Sequence, residues 1–166
     1  MNYTKCLIAA LVLFTSIVSC KKGDTGPAGN ANVIQYNFGS QTFTGVLNLT
    51  LSNISQGKID SSMVLIYYNP STETSTAWYP VPGLGSGGLY EMRYLIYQAS
   101  VSPSNYFVAL RANKPDGSGA YASALTFTKI RVFIVPASSV LPGGRQAAPV
   151  DYSDYYAVKK YYNIPD

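Results

Sequence analysis

Leu125-Thr126-Phe127-Thr128-Lys129-Ile130-Arg131-Val132-Phe133-Ile134-Val135 is the stretch that decides the fold. It reads as one long strand whose apolar face changes parity. Leu125 and Phe127 put that face on odd positions; Ile130, Val132 and Ile134 put it on even ones. Side chains alternate strictly along a strand, so such a switch needs a bulge or bend near Thr128-Lys129, or a strand that passes from one sheet to another. Either suits two packed sheets.

Period-2 alternation recurs on both sides of this stretch. Ile34, Tyr36 and Phe38 alternate with Gln35 and Asn37, and Leu47, Leu49 and Leu51 with Asn48 and Thr50. Tyr90, Met92, Tyr94 and Ile96 share one face, as do Tyr106, Val108 and Leu110. Met63 to Tyr68 is apolar on both faces, which predicts a central, covered strand. Trp78 to Val81 is short, and Pro80 and Pro82 push it to an edge. Turns fall between these runs, at Asn69-Pro70 and at Pro115-Asp116-Gly117. The Gly83-to-Gly88 segment lacks the lysine and the helix of a phosphate-binding loop, so it reads as a mobile hairpin loop. The pattern predicts a mainly β domain over residues 32–166. Its architecture is an antiparallel β-sandwich, jelly-roll or Ig-like, with one short C-terminal helix. That helix is expected from about Ser153 to Tyr162, capped by Ser153 or Asp151 after the polar loop Pro142-Gly-Gly-Arg145. Tyr155, Val158 and Tyr162 fall on the face that packs on the sandwich.

The N-terminus carries a different message. Met1 to Lys5 holds one positive charge, and Cys6 to Val18 is almost wholly apolar. This is the layout of a secretory signal, and the run is shorter than the roughly 20 residues of a spanning helix. Ile17-Val18-Ser19-Cys20 resembles the lipobox of bacterial lipoproteins. The resemblance implies cleavage between Ser19 and Cys20 and a diacylglyceryl thioether on Cys20. Residues 1–19 are then a signal peptide, and the partner of Cys20 is a membrane. Two or more acyl chains, at about 0.8 kcal/mol per buried methylene, hold a protein stably. Lys21 follows Cys20 where aspartate would retain a Gram-negative lipoprotein at the inner membrane, so the analogy favours the outer membrane. Lys21-Lys22 suits anionic headgroups beside the lipid.

Residues 20–31 join anchor to domain. Gly23-Asp-Thr, Gly26-Pro-Ala and Gly29-Asn-Ala are Gly-X-Y triplets. Three are far too few for a collagen helix, which leaves a flexible spacer. Lipobox, short Gly-X-Y tract, Asn30-Ala31-Asn32-Val33 and the tyrosine- and lysine-rich end Asp151 to Ile164 together resemble small collagen-like lipoproteins of the Bacteroidota. The resemblance implies an envelope address and a β-rich fold, and no activity.

Composition narrows the chemistry. Histidine is absent, and after cleavage Cys20 is the sole cysteine. Ser-His-Asp and Cys-His catalysis and the usual zinc sites are therefore excluded, and no cofactor or metal is expected. The acids Asp24, Asp60, Glu73, Glu91, Asp116, Asp151, Asp154 and Asp166 sit mostly in turn-like or terminal contexts. The chain is read as a non-enzyme. Losing residues 1–19 removes only Lys5 among the charged residues, taking the net charge from +4 to +3. The basic residues are scattered, which speaks against nucleic acid. Fifteen tyrosines stand against one tryptophan. Most tyrosines read as cross-strand fillers. Trp78 and Tyr79, beside the glycine loop, form the candidate ligand surface. The resulting expectation is a structural or protein-interaction module of the envelope, the alternative being a surface carbohydrate binder with exposed, coplanar aromatics.

Overall fold

The computed structural model describes residues 32–98, 105–136 and 150–165. Ser19, Cys20, the Gly-X-Y tract and the Pro142-to-Arg145 loop lie outside them.

Nine strands occur among the described residues: β1 (Ile34–Phe38), β2 (Gln41–Phe43), β3 (Val46–Leu51), β4 (Ser62–Pro70), β5 (Tyr79–Val81), β6 (Gly83–Leu84), β7 (Glu91–Gln98), β8 (Tyr106–Asn113) and β9 (Leu125–Pro136). They form two antiparallel sheets. The first runs β1-β9-β4-β5, with β2 also on β9; the second runs β3-β8-β7-β6. The chain's first strands pair with its last, β1 and β2 on β9 and β3 on β8, so both arms wrap from sheet to sheet together. The β4–β5 and β6–β7–β8 connections, by contrast, are hairpins within one sheet, and the whole is the expected antiparallel β-sandwich.

The parity switch is a bulge. Along β4, Asn69 pairs with Lys129 but Pro70 pairs with Phe127, so Thr128 has no counterpart. Before the bulge Phe127 faces the space between the sheets; beyond it Ile130, Val132 and Ile134 do. The break between β1 and β2 falls opposite the same point, since Phe38 pairs with Ile130 and Gln41 with Phe127.

The inter-sheet core takes the alternating residues of both sheets. Leu51, Met92, Val108, Leu110, Phe127 and Ile130 are all fully buried there. Removing each such side chain from water contributes about 1.5–3 kcal/mol. β5 lies at the sheet edge, as Pro80 and Pro82 require.

A second apolar cluster covers the outer face of the first sheet. Beyond the bulge β9 is buried on both faces, and Phe133 and Val135 point away from the other sheet with Tyr67. Helix α2 (Tyr155–Tyr161) closes over them. Tyr155, Val158 and Tyr162 are all buried, on the helical face expected for them. The cap differs from expectation. Asp154, rather than Ser153 or Asp151, accepts from the Tyr156 and Ala157 amides at 2.9 and 3.1 Å. Asp151 instead closes the preceding turn, accepting from the amide of Ser153 at 2.8 Å and from its hydroxyl at 2.7 Å. The carboxylate nearest the first free amides takes the cap. A further single helical turn, α1 (Gln56–Asp60), precedes β4, capped by Ser55.

Candidate functional site

Trp78 and Tyr79 are brought to opposite faces of the first sheet, because consecutive residues of an extended chain point opposite ways. Trp78 stacks on Tyr155 of α2, with ring centroids 4.2 Å apart and planes 20° apart. The Arg131 guanidinium lies 5.5 Å from its ring centroid. Tyr79 stacks on Tyr68 on the inter-sheet side at 5.7 Å. Both are partly buried. The ligand surface expected around this pair therefore does not form as one coplanar surface.

The structure assembles a different concave site. The β4–β5, β6–β7 and β8–β9 loops meet at one end of the sandwich. They surround a cleft of about 330 Å³ whose lining includes Leu89, Tyr90, Tyr121, Leu125 and Phe127. Ser71, Thr72 and Ser86 lie on its rim, while the hydroxyl of Thr126 meets that of Thr42 at 2.8 Å. No acidic or basic side chain lines it.

Each loop is pinned. Asn69, almost fully buried, donates from Nδ2 to the carbonyls of Thr74 and Ala77 at 2.8 and 2.6 Å, and its Oδ1 accepts from Thr128 at the bulge. The bulge thus fixes the β4–β5 loop. Glu73 of that loop accepts from the Ser86 hydroxyl and, at 3.3 Å, from the Tyr79 phenol. Gly85 permits a close approach: a Cβ there would come within 2.0 Å of the Tyr90 ring. The glycine segment expected to be a mobile loop contributes β6 and a tight turn, closed by the Gly85 amide donating to the Tyr90 carbonyl at 2.8 Å. On the third loop Asp116 accepts from the Ser118 amide at 2.9 Å, which holds its carboxyl below the usual range. Tyr121 rests against Tyr90, centroids 5.5 Å apart.

Burial pushes the phenols here upward. Tyr90 is raised chiefly by desolvation, and Tyr68 beneath it far more so, with the neighbouring Tyr90 phenol adding to the effect. The Tyr79 phenol is raised by desolvation first and by the Glu73 carboxylate second. All three are neutral at ordinary pH.

Three further described acids have local roles. Glu91 pairs with Arg93 at 2.8 Å, which lowers its carboxyl. Asp151 and Asp154 serve the start of α2. Among the described residues no three of His, Cys, Asp and Glu gather as a metal-binding group. The arrangement is suited to holding a small neutral molecule between rings and hydroxyls.

Comparison with protein-family models, with curated proteins and with solved structures gives no match for this chain.

Proposed function

We propose that this chain is a membrane-anchored lipoprotein of the bacterial cell envelope, resident in the outer membrane, whose sandwich serves as a structural or protein-interaction module. The observation that carries this reading is Ile17-Val18-Ser19-Cys20 at the end of a short apolar run, with a basic pair and a Gly-X-Y spacer directly after it. Lipid on Cys20 supplies the attachment, and the spacer lifts the domain off the surface. A β-rich domain without histidine or a second mature cysteine fits binding rather than group transfer. The resemblance to collagen-like lipoproteins of the Bacteroidota supports the address.

Metabolic labelling with an alkyne fatty acid tests the anchor. The wild-type chain is expected to be labelled and to fractionate with outer membrane; Cys20→Ala is expected to be unlabelled and to keep residues 1–19. Equal labelling of both would falsify the proposal. Crosslinking in intact cells then identifies the partner.

A further inference from the structure

We propose that the cleft at the loop end of the sandwich binds one ring of a neutral saccharide. The inference goes beyond the anchor at Cys20 and holds whether or not lipid is attached. A pyranose ring presents C–H groups on its faces and hydroxyls around its edge. The cleft presents the complement: the partly exposed ring of Tyr121, backed by the nearly buried Tyr90, and the hydroxyls of Ser71, Thr72 and Ser86. Aromatic faces with a polar handle serve both kinds of contact.

Three observations favour this ligand over others. The lining has no charged side chain, so nothing there selects an anion or a cation. The rim's backbone is largely paired within the chain. The Ser71 amide donates to Thr126 at 2.9 Å, that of Leu89 to Ser86 at 3.3 Å, and that of Tyr121 to Ala112 at 2.9 Å. An extended peptide would find few main-chain partners, whereas the hydroxyls of Ser71 and Thr72 make no hydrogen bond among the described residues. Finally, about 330 Å³ lies at the small end of ligand sites, which span roughly 300–1,000 Å³. That volume suits one ring with its substituents. The clamps at Asn69, Glu73 and Gly85 preform the site, which limits the ordering cost of binding a small molecule.

The test is saturation-transfer NMR on the full chain in detergent, with the methyl glycosides of glucose, galactose, mannose and N-acetylglucosamine as probes. At least one probe should receive transfer. Tyr121→Ala should weaken it about tenfold or more, the scale of losing a central aromatic contact. Tyr121→Phe, which keeps the ring, should retain it and separates loss of contact from loss of fold. Tyr97→Ala, on the open face of the second sheet, should leave it unchanged. Absence of transfer to every probe overturns the proposal. So does transfer that survives Tyr121→Ala, or that is lost in Tyr97→Ala.

Discussion

The sandwich has two outer faces, and they are built differently. That of the first sheet is a second core: Tyr67, Phe133 and Val135 have no exposed surface, and α2 lies across them. That of the second sheet is open among the described residues. Tyr97 opposes Phe107 across β7 and β8, their centroids 5.3 Å apart, with Tyr97 40% exposed. Arg93 opposes Arg111, and Val46 at the β3 edge is 50% exposed. The difference is written in the strands. From Ile130 to Val135, β9 is apolar at five of six positions, while β7 interrupts its outer face with Glu91 and Arg93. A continuous apolar run signals cover on both sides, and alternation signals one wet side.

The largest expected effect tests that contrast directly. Tyr162→Ala empties a fully buried site under α2 and should cost about 3–5 kcal/mol in urea unfolding. Tyr97→Ala on the open face should cost under about 1 kcal/mol. Comparable losses would mean that the second face is covered as well. A smaller effect asks how α2 is held. Asp154→Ala removes two accepted amide bonds and should cost about 1 kcal/mol, with α2 amides exchanging faster while those of β7 and β8 do not. Asp151→Ala should cost less, because it closes only the preceding turn.

Much of this architecture was legible because it is local. The longer strands of both sheets, the edge position of β5, the buried face of α2 and the irregularity at Thr128-Lys129 all follow from periodicity or turn chemistry, whereas the short β2 and β6 do not. The separation of Trp78 from Tyr79 was also legible, since adjacent strand residues cannot share a face; their proximity in sequence misled. The cap at Asp154 lay among three candidate oxygens within four residues, and only geometry chooses among them. α1 is too short to leave a periodic trace. The cleft was not legible at all. It joins Ser71, Tyr90 and Tyr121, which no local pattern connects, and its clamps depend on Asn69 meeting a bulge on β9 and on Glu73 meeting Ser86. Asn69 read only as the start of a turn; a buried amide with both ends bonded looks the same in sequence as an exposed one.

The finest expected difference lies between two neighbours on β4 that face opposite cores. The Tyr67 phenol, beneath α2, donates to the Tyr152 carbonyl at 2.6 Å. The Tyr68 phenol, between the sheets, is buried with only the Tyr90 phenol beside it and makes no well-formed hydrogen bond. Tyr67→Phe should therefore cost about 1 kcal/mol, and Tyr68→Phe should be neutral or slightly stabilising. Burial raises both phenols above their ordinary value, with Asp151 the next contributor at Tyr67 and Tyr90 at Tyr68. A raised phenol keeps its proton in the folded chain after the unfolded chain has lost it. The unfolded state then binds fewer protons, so stability is fully present below about pH 10 and falls as pH rises past it. Urea midpoints measured from about pH 8 to pH 11 should decline in the wild type. They should decline less steeply in Tyr68→Phe, because one of the groups that titrates only on unfolding is gone. An unchanged slope would show that Tyr68 ionises as readily in the sandwich as in the unfolded chain, and that the inter-sheet core is wetter around its hydroxyl than the face under α2.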